Sequence, residues 1–210
     1  MNNSTAAVNV YLIDDESDVT RSLSFLLESI HIPSRSFTSA VDFLDAFEYG
    51  AGPCCIVLDL RMPGIGGLEL MQKLKNLGYD VPVILLSAHG DIPAAVRAMQ
   101  LGAVDFLQKP FNPQQFLDSV NRATALATEK FAQRTERADN ERRLQKLSPR
   151  EREVFDLLLQ GSASKEIAKT LQISYKTVDV HRASLLRKLD VASYRELIKK
   201  IEELRPRDNP

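Results

Sequence analysis

The stretch Ile56-Val57-Leu58-Asp59-Leu60-Arg61-Met62-Pro63 constrains the fold of this chain more than any other. Three branched apolar residues in succession suit a strand buried on both faces, as in a parallel sheet covered by helices. The run stops at a lone carboxylate, Asp59, and Pro63-Gly64 then imposes a turn. An acid at the C-terminal end of such a strand stands where open α/β sheets gather their chemistry. Alone, Asp59 would do no more than cap the next segment. Three other apolar runs also end in polar groups, at Asp14-Asp15, at Ser87 and at Lys109-Pro110. Acid pair, acid, hydroxyl and lysine at four strand ends form one constellation.

The surrounding pattern supports a sheet. Strands are expected at 8–13, 33–37, 54–58, 82–86 and 104–107. Between them, apolar residues recur at helical spacing. The first such set is Val19, Leu23, Leu26, Leu27 and Ile30, with Ser17 as its expected cap. Ser39 opens the second, with Val41, Phe43, Leu44 and Phe47. Gly66-Gly67 leads into the third, with Leu68, Met71, Leu74 and Leu77, and Gly78 ends it. Asp91 is expected to cap the fourth, which has Pro93 in its first turn, and Pro113 begins the fifth. Strands alternating with helices define a parallel sheet with helices on both faces. Cys54 and Cys55 are adjacent on the central strand. They cannot form a disulfide framework and read as core residues in a reducing compartment. No apolar run approaches the roughly 20 residues that span a bilayer, and the N-terminus lacks a signal core. The expectation is a soluble, cytoplasmic protein with no membrane partner.

Nucleotide binding would require a glycine-rich turn after the first strand. Asp14-Asp15-Glu16 stands there instead and repels phosphate unless a divalent cation intervenes. The acid pair with Asp59 is a hard oxygen-donor set suited to Mg2+. The metal would neutralise the acids and screen an incoming phosphoryl group. Lys109 and the Ser87 hydroxyl can pair with phosphoryl oxygens. Asp59 is then the nucleophile, forming an acyl phosphate.

Asp14-Asp15, Asp59 with Met62-Pro63-Gly64, Ser87-Ala88 and Lys109-Pro110-Phe111 together closely resemble the response-regulator receiver domain, over residues 8–124. The resemblance implies phosphotransfer from a histidine kinase to Asp59. It also implies a Mg2+ site of Asp14, Asp59 and the Arg61 backbone carbonyl, with Asp15 reaching the metal through water. Phe106 matches the switch aromatic that moves with Ser87, and the Lys109–Pro110 bond would be cis. Serine stands at 87 where many members have threonine. His89-Gly90-Asp91 would border the site.

The second half differs in charge. Residues 1–117 carry 7 Lys+Arg and 13 Asp+Glu, a net of −6, whereas residues 118–210 carry 20 and 15, a net of +5. An acidic part that handles cations joined to a basic part that approaches an anion fits this asymmetry. Residues 118–146 lack Pro and Gly, and Val120, Ala123, Ala127 and Phe131 keep a helical thread. The simplest account is the fifth helix running on as a linker. A two-chain coiled coil would need a heptad that fails beyond Phe131, and 134–143 would equally serve as a solvated tether. Ser148-Pro149-Arg150-Glu151 is a strong helix start. Short helices are then expected to about Gln160, from Ser164 to Leu171, from Ser174 to Leu189, and over roughly 193–204. Any small helical bundle would fit this pattern nearly as well as a helix-turn-helix.

Leu147-Ser148-Pro149-Arg150-Glu151-Arg152-Glu153-Val154, Lys165-Glu166-Ile167-Ala168, Ile173-Ser174, Thr177-Val178, His181, Lys188-Leu189 and Glu196-Leu197 resemble the LuxR/NarL-type DNA-binding domain. Asp179 stands where many members carry lysine and Ala183 where some carry a base-reading lysine. Asp179-Val180-His181-Arg182-Ala183 looks like the FixJ branch, and so do segments of the receiver. The DNA-contacting set so implied is Lys165, Lys176, Thr177, Asp179, Val180, Arg182, Arg187 and Lys188. Asp179 would accept from a cytosine amino group, while Lys176, Arg182, Arg187 and Lys188 hold the backbone.

The expected fold is therefore α/β: a five-stranded, doubly wound, flavodoxin-like receiver (1–124), a helical linker (125–146) and an all-α helix-turn-helix domain (147–210). The expected function is a phosphorylation-controlled transcription factor, a switch rather than an enzyme. Its expected partners are a sensor histidine kinase, promoter double-stranded DNA, RNA polymerase and, when phosphorylated, a second copy of the chain. Two rivals remain. One is a receiver whose helical half binds protein, which Arg150, Lys165, Lys169 and the other basic residues disfavour. The other is an aspartate-nucleophile phosphatase of the haloacid-dehalogenase kind. That class needs a second Asp two residues after the nucleophile, where this chain has Arg61.

Overall fold

A computed structural model describes residues 7–88, 92–193 and 195–199. Five parallel strands, β1 (Asn9–Ile13), β2 (Ser34–Phe37), β3 (Cys54–Asp59), β4 (Val83–Ser87) and β5 (Asp105–Gln108), form one sheet in the order β2-β1-β3-β4-β5. Helices α1 (Ser17–Ser29), α2 (Ala40–Ala46), α3 (Gly67–Asn76), α4 (Ile92–Leu101) and the start of α5 (Pro113–Gln145) connect and follow them. The five strands stand within a residue or two of their expected positions.

Successive residues on a strand point to opposite faces, and here both faces are buried. Ile56 and Leu58 enter one core with Ile13, Phe43, Leu70 and Leu85, whereas Cys55 and Val57 enter the other with Leu12, Leu27, Ile84 and Phe116. Burial pushes the Cys55 thiol up to about 12, with Cys54 adding to the shift. Both cysteines are free thiols. Three expected core positions differ. Ile30 and Leu77 fall at helix C-caps and are exposed, and Val41 faces solvent in the first turn of α2.

The caps are local. Ser39 accepts from the Asp42 backbone N–H at 3.0 Å, as expected. Ser17 does not cap α1. Glu16 holds the cap position without a side-chain bond, and its own N–H donates to Asp14 Oδ1 at 3.0 Å, so the strand-end acid organises this turn. His89-Gly90-Asp91, and with it the expected Asp91 cap, lies outside the described residues.

Helix α5 is a single run of 33 residues, as the proline-free stretch leads one to expect. Val120, Ala123 and Ala127 are buried along it. The chain divides into two compact units within this helix, between Gln133 and Arg134.

The second unit contains α6 (Pro149–Leu159), α7 (Ser164–Thr170) and α8 (Tyr175–Leu189). Their core joins Val154, Phe155 and Leu158 to Ile167, Val178, Leu185, Leu189 and Leu197. Residues 195–199 are helical. The rest of the expected last helix, 194 and 200–204, lies outside the described residues. Gln172, at φ 55°, makes the tight turn between α7 and α8. Among the described residues, no helix is long and apolar enough to cross a membrane.

Candidate functional site

Parallel register sets the first site. Ile13 pairs with Leu58, so Asp14 lies beside Asp59, while Asp59 pairs with Leu86 and Ser87 with Gln108. Asp14, Asp59, Ser87 and Lys109 therefore stand at one C-terminal edge, where the connections from β1 and β3 diverge. That reversal opens the crevice in which doubly wound sheets bind their ligands.

The Lys109 ammonium donates to Asp14 Oδ2 at 2.6 Å and to Asp59 Oδ1 at 2.7 Å. Asp59 Oδ2 accepts from the Arg61 backbone N–H at 2.7 Å. Asp14 and Asp59 are 2 % and 6 % exposed, so two acids share one cation with little water to screen them. Burial pulls the Lys109 pKa down, but its bonds to Asp14 and Asp59 outweigh that and leave it raised. Ser87 is buried at the same edge, Asp15 is exposed, and Phe106 is half-buried against the α3–α4 core. The Lys109–Pro110 peptide is cis, as the resemblance implies.

Gly67 fits this edge closely. A Cβ there would collide with the Asp59 carbonyl and stand 2.9 Å from Leu85 Cδ2. Gly64, at φ 77°, takes the turn that Pro63 starts.

The oxygen donors suit a small hard cation. Mg2+ takes one or two carboxylates and keeps several waters, and Asp14, Asp59 and the Arg61 carbonyl supply that kind of set. Among the described residues, Asp15 is not gathered with Asp14 and Asp59 into a three-carboxylate cluster.

The second site is the outward face of α8. Ser174 caps the helix by accepting from the Thr177 N–H at 3.1 Å. Lys176, Asp179, Val180, Ala183 and Arg187 are all exposed and share one face at helical spacing. Tyr175, 51 % exposed, adjoins it. Lys165 is exposed at the start of α7.

Three of the expected DNA-contacting residues also have partners within the unit. The Thr177 hydroxyl shares a 2.8 Å bond with Ser174 Oγ. Arg182 Nη1 donates to Ser164 Oγ at 2.5 Å and stands 3.8 Å from Asp179 Oδ1. Lys188 Nζ donates to Glu151 Oε2 at 2.6 Å and to the Lys146 carbonyl at 3.0 Å. Glu151 was legible only as a capping residue. It closes the box with Ser148, and its other oxygen accepts from Ser184 Oγ at 2.6 Å.

The two sites and their order define a class, a receiver-type sheet edge joined to a helix-turn-helix. Comparison with known proteins agrees. Residues 10–121 match the model of the response regulator receiver domain, and residues 145–201 that of bacterial regulatory proteins of the luxR family. The chain is 45 % identical over 192 residues to the transcriptional regulatory protein TdiR of Thauera aromatica, covering 91 % of this chain and 84 % of that one. It is 44 % identical over 193 residues to the transcriptional regulatory protein FixJ of Azorhizobium caulinodans, covering 90 % of each. The solved structure of the response regulator StyR superposes with a TM-score of 0.84 at 36 % identity, over 94 % of this chain and all of that one. This chain belongs to the response-regulator transcription factors that combine a receiver with a luxR-family DNA-binding domain.

Proposed function

We propose that Asp59 accepts a phosphoryl group from the phosphohistidine of a sensor kinase, and that the modified chain dimerises on promoter DNA in the cytoplasm. The observation that carries this reading is the Lys109 bridge between Asp14 and Asp59 on one sheet edge. An Asp59 oxygen attacks phosphorus as the phosphorus–nitrogen bond breaks, and the leaving imidazole regains a proton. Lys109, already bonded to the acceptor carboxylate, pairs with the phosphoryl oxygens, and Ser87 donates to another. Asp14, Asp59 and the Arg61 carbonyl would hold Mg2+, with Asp15 acting through water. When bound, the metal offsets charge between the acids and the phosphoryl group.

Phe106 links this edge to α4 and β5. It packs beside Leu101 and Ala98, and Asp105 next to it accepts from Ser119 Oγ and Arg122 Nη2, each at 2.5 Å. A change at Ser87 that draws Phe106 inward reshapes this surface. The outward side of α4 offers a dimer contact, with Ile92, Val96 and Met99 75 %, 52 % and 53 % exposed along one stripe. The phosphorylated wild type is expected to sediment as a dimer at micromolar concentration. Val96→Glu should weaken that dimer by about tenfold or more and leave Asp59 labelling intact. A phosphorylated wild type that stays monomeric, on and off DNA, contradicts this surface.

On DNA, the outward face of α8 enters the major groove. Asp179 reads a base by accepting from a cytosine amino group, because a carboxylate facing phosphates without such a partner only costs affinity. Lys165, Lys176 and Arg187 hold the backbone. Arg182 steadies Asp179 and Ser164, and Lys188 holds α8 to α6. RNA polymerase is a further partner at the promoter. Asp179→Ala should relax preference at one base pair by about 1–3 kcal/mol and slightly strengthen non-specific binding. Selection from randomised duplexes that returns one consensus for both proteins would remove Asp179 from the readout.

A further inference from the structure

The compact unit that contains α8 begins at Arg134, inside α5. Within it the last turns of α5 are tied to α8 by more than apolar packing. Leu144 packs on the shared core, and Asn140 is 6 % exposed. Arg143 reaches the far end of α8. Its Nη1 donates to the Leu189 carbonyl at 2.9 Å and its Nη2 to Asp190 Oδ2 at 3.0 Å. Leu189 is the last residue of that helix, and Asp190 is its cap, held at φ 55° and ψ 52°.

The final carbonyls of a helix lack intrahelical partners and carry the negative end of its dipole. A guanidinium offers two parallel donors to such a group and its neighbouring carboxylate. A single donor would leave the helix free to turn about one bond. Two donors on two acceptors fix both its tilt and its rotation. The DNA-facing residues Lys176, Asp179 and Val180 stand toward the other end of the same helix, so a small rotation at Leu189 misplaces all of them together.

We propose that Arg143 is a positioning residue for DNA recognition, setting the pose of α8 from the end of α5 through the Leu189 carbonyl and Asp190. It acts through these groups and does not touch DNA. This rests on the reading of α8 as the recognition helix.

Salt dependence separates positioning from phosphate contact. The test uses the full chain and a duplex that the wild type selects from a randomised pool. Arg143→Ala should bind that duplex about tenfold more weakly. Its affinity for random duplex should stay within about twofold, and its slope of log affinity against log salt should stay unchanged. Asp190→Gly should reproduce the loss, because glycine takes the positive φ freely. The double variant should lose no more than either single one, and Arg143→Lys should recover part of the affinity. A variant that only lowers the folded fraction would weaken both duplexes equally, so the ratio between them reports pose. Unchanged affinity for the selected duplex in Arg143→Ala and Asp190→Gly overturns the proposal. So does an equal loss on both duplexes, or a slope reduced by about 0.9, the mark of one lost phosphate contact. A wild type that selects no duplex removes the reading of α8 itself, and that result appears before any variant is compared.

Discussion

Asp59→Asn is expected to abolish stable phosphorylation of the chain. The substitution keeps the size and planarity of the side chain. It replaces one carboxylate oxygen with a nitrogen that has no lone pair for phosphorus, and it removes the charge that Lys109 meets at 2.7 Å. Radiolabelled phosphoryl donor with Mg2+ should give the wild type a label that base and hydroxylamine release, as they do an acyl phosphate, and should give Asp59→Asn none. The Arg61 N–H that donates to Asp59 Oδ2 can donate to an amide oxygen as readily as to a carboxylate, so the strand end should keep its shape. Asp14→Ala should fail differently, through weakened Mg2+ dependence, because Asp14 shares Lys109 with Asp59 but is not the acceptor. Full labelling of Asp59→Asn would move the chemistry to another residue.

Glu151→Ala is expected to have the largest effect on folding. Its carboxylate is 6 % exposed and serves two helices at once. One oxygen takes the Ser148 N–H at 2.7 Å and Lys188 Nζ at 2.6 Å, and the other takes Ser184 Oγ at 2.6 Å. Alanine leaves all three donors without their acceptor. Bonds to charged groups contribute about 1.5–3 kcal/mol each, and removing one partner of a fully buried ion pair costs about 3–5 kcal/mol. Lys188 stays 29 % exposed and can turn to water. The expected loss is therefore roughly 2–4 kcal/mol, or at least about 8 °C in the melting of the second unit.

The same carboxylate gives that unit an acid limit. Lys188 first, then Ser184, hold the Glu151 pKa at about 2, against an ordinary value of 4.5. A carboxylate with a depressed folded pKa stabilises above its unfolded value and loses that contribution as pH falls through the folded one. Wild-type stability should decline from about pH 5 toward pH 2, and Glu151→Ala should show a shallower decline. Parallel melting curves for the two proteins across that range would show that Glu151 does not couple α6 to α8.

These two sites differ in how far the sequence reveals them. The polar sheet edge was legible because a parallel sheet turns strand ends into neighbours. Once Asp14, Asp59, Ser87 and Lys109 each end an apolar run, topology alone gathers them. The direct bond from Lys109 to both acids was not legible, since it depends on the path after β5. Glu151 was legible as a cap because its partner Ser148 is three residues away. Its bonds to Ser184 and Lys188 cross more than thirty residues and follow from how α6 packs on α8. Lys188 and Arg182 have partners that charge alone does not reveal. A cation on a helix suggests a phosphate contact when only its charge is known, yet each finds an acceptor within its own unit. Ser17 is not the cap because the helix starts one residue earlier, with the Val19 and Thr20 N–H groups donating to the Glu16 carbonyl. The exposed stripe Ile92, Val96 and Met99 carries the same information in sequence and in space, but only burial separates it from the buried Ala94 and Ala98 on the same helix.

The claim that joins the two halves is that chemistry at Asp59 controls binding through α8. Sedimentation of the full chain with a fluorescent duplex selected by the wild type, with and without acetyl phosphate and Mg2+, tests it most directly. The wild type should bind at least about tenfold more tightly with the phosphodonor, in a complex of two chains per duplex, and Asp59→Asn should not respond. A wild type whose affinity and stoichiometry are the same in both conditions, or an Asp59→Asn variant that responds as the wild type does, would contradict it.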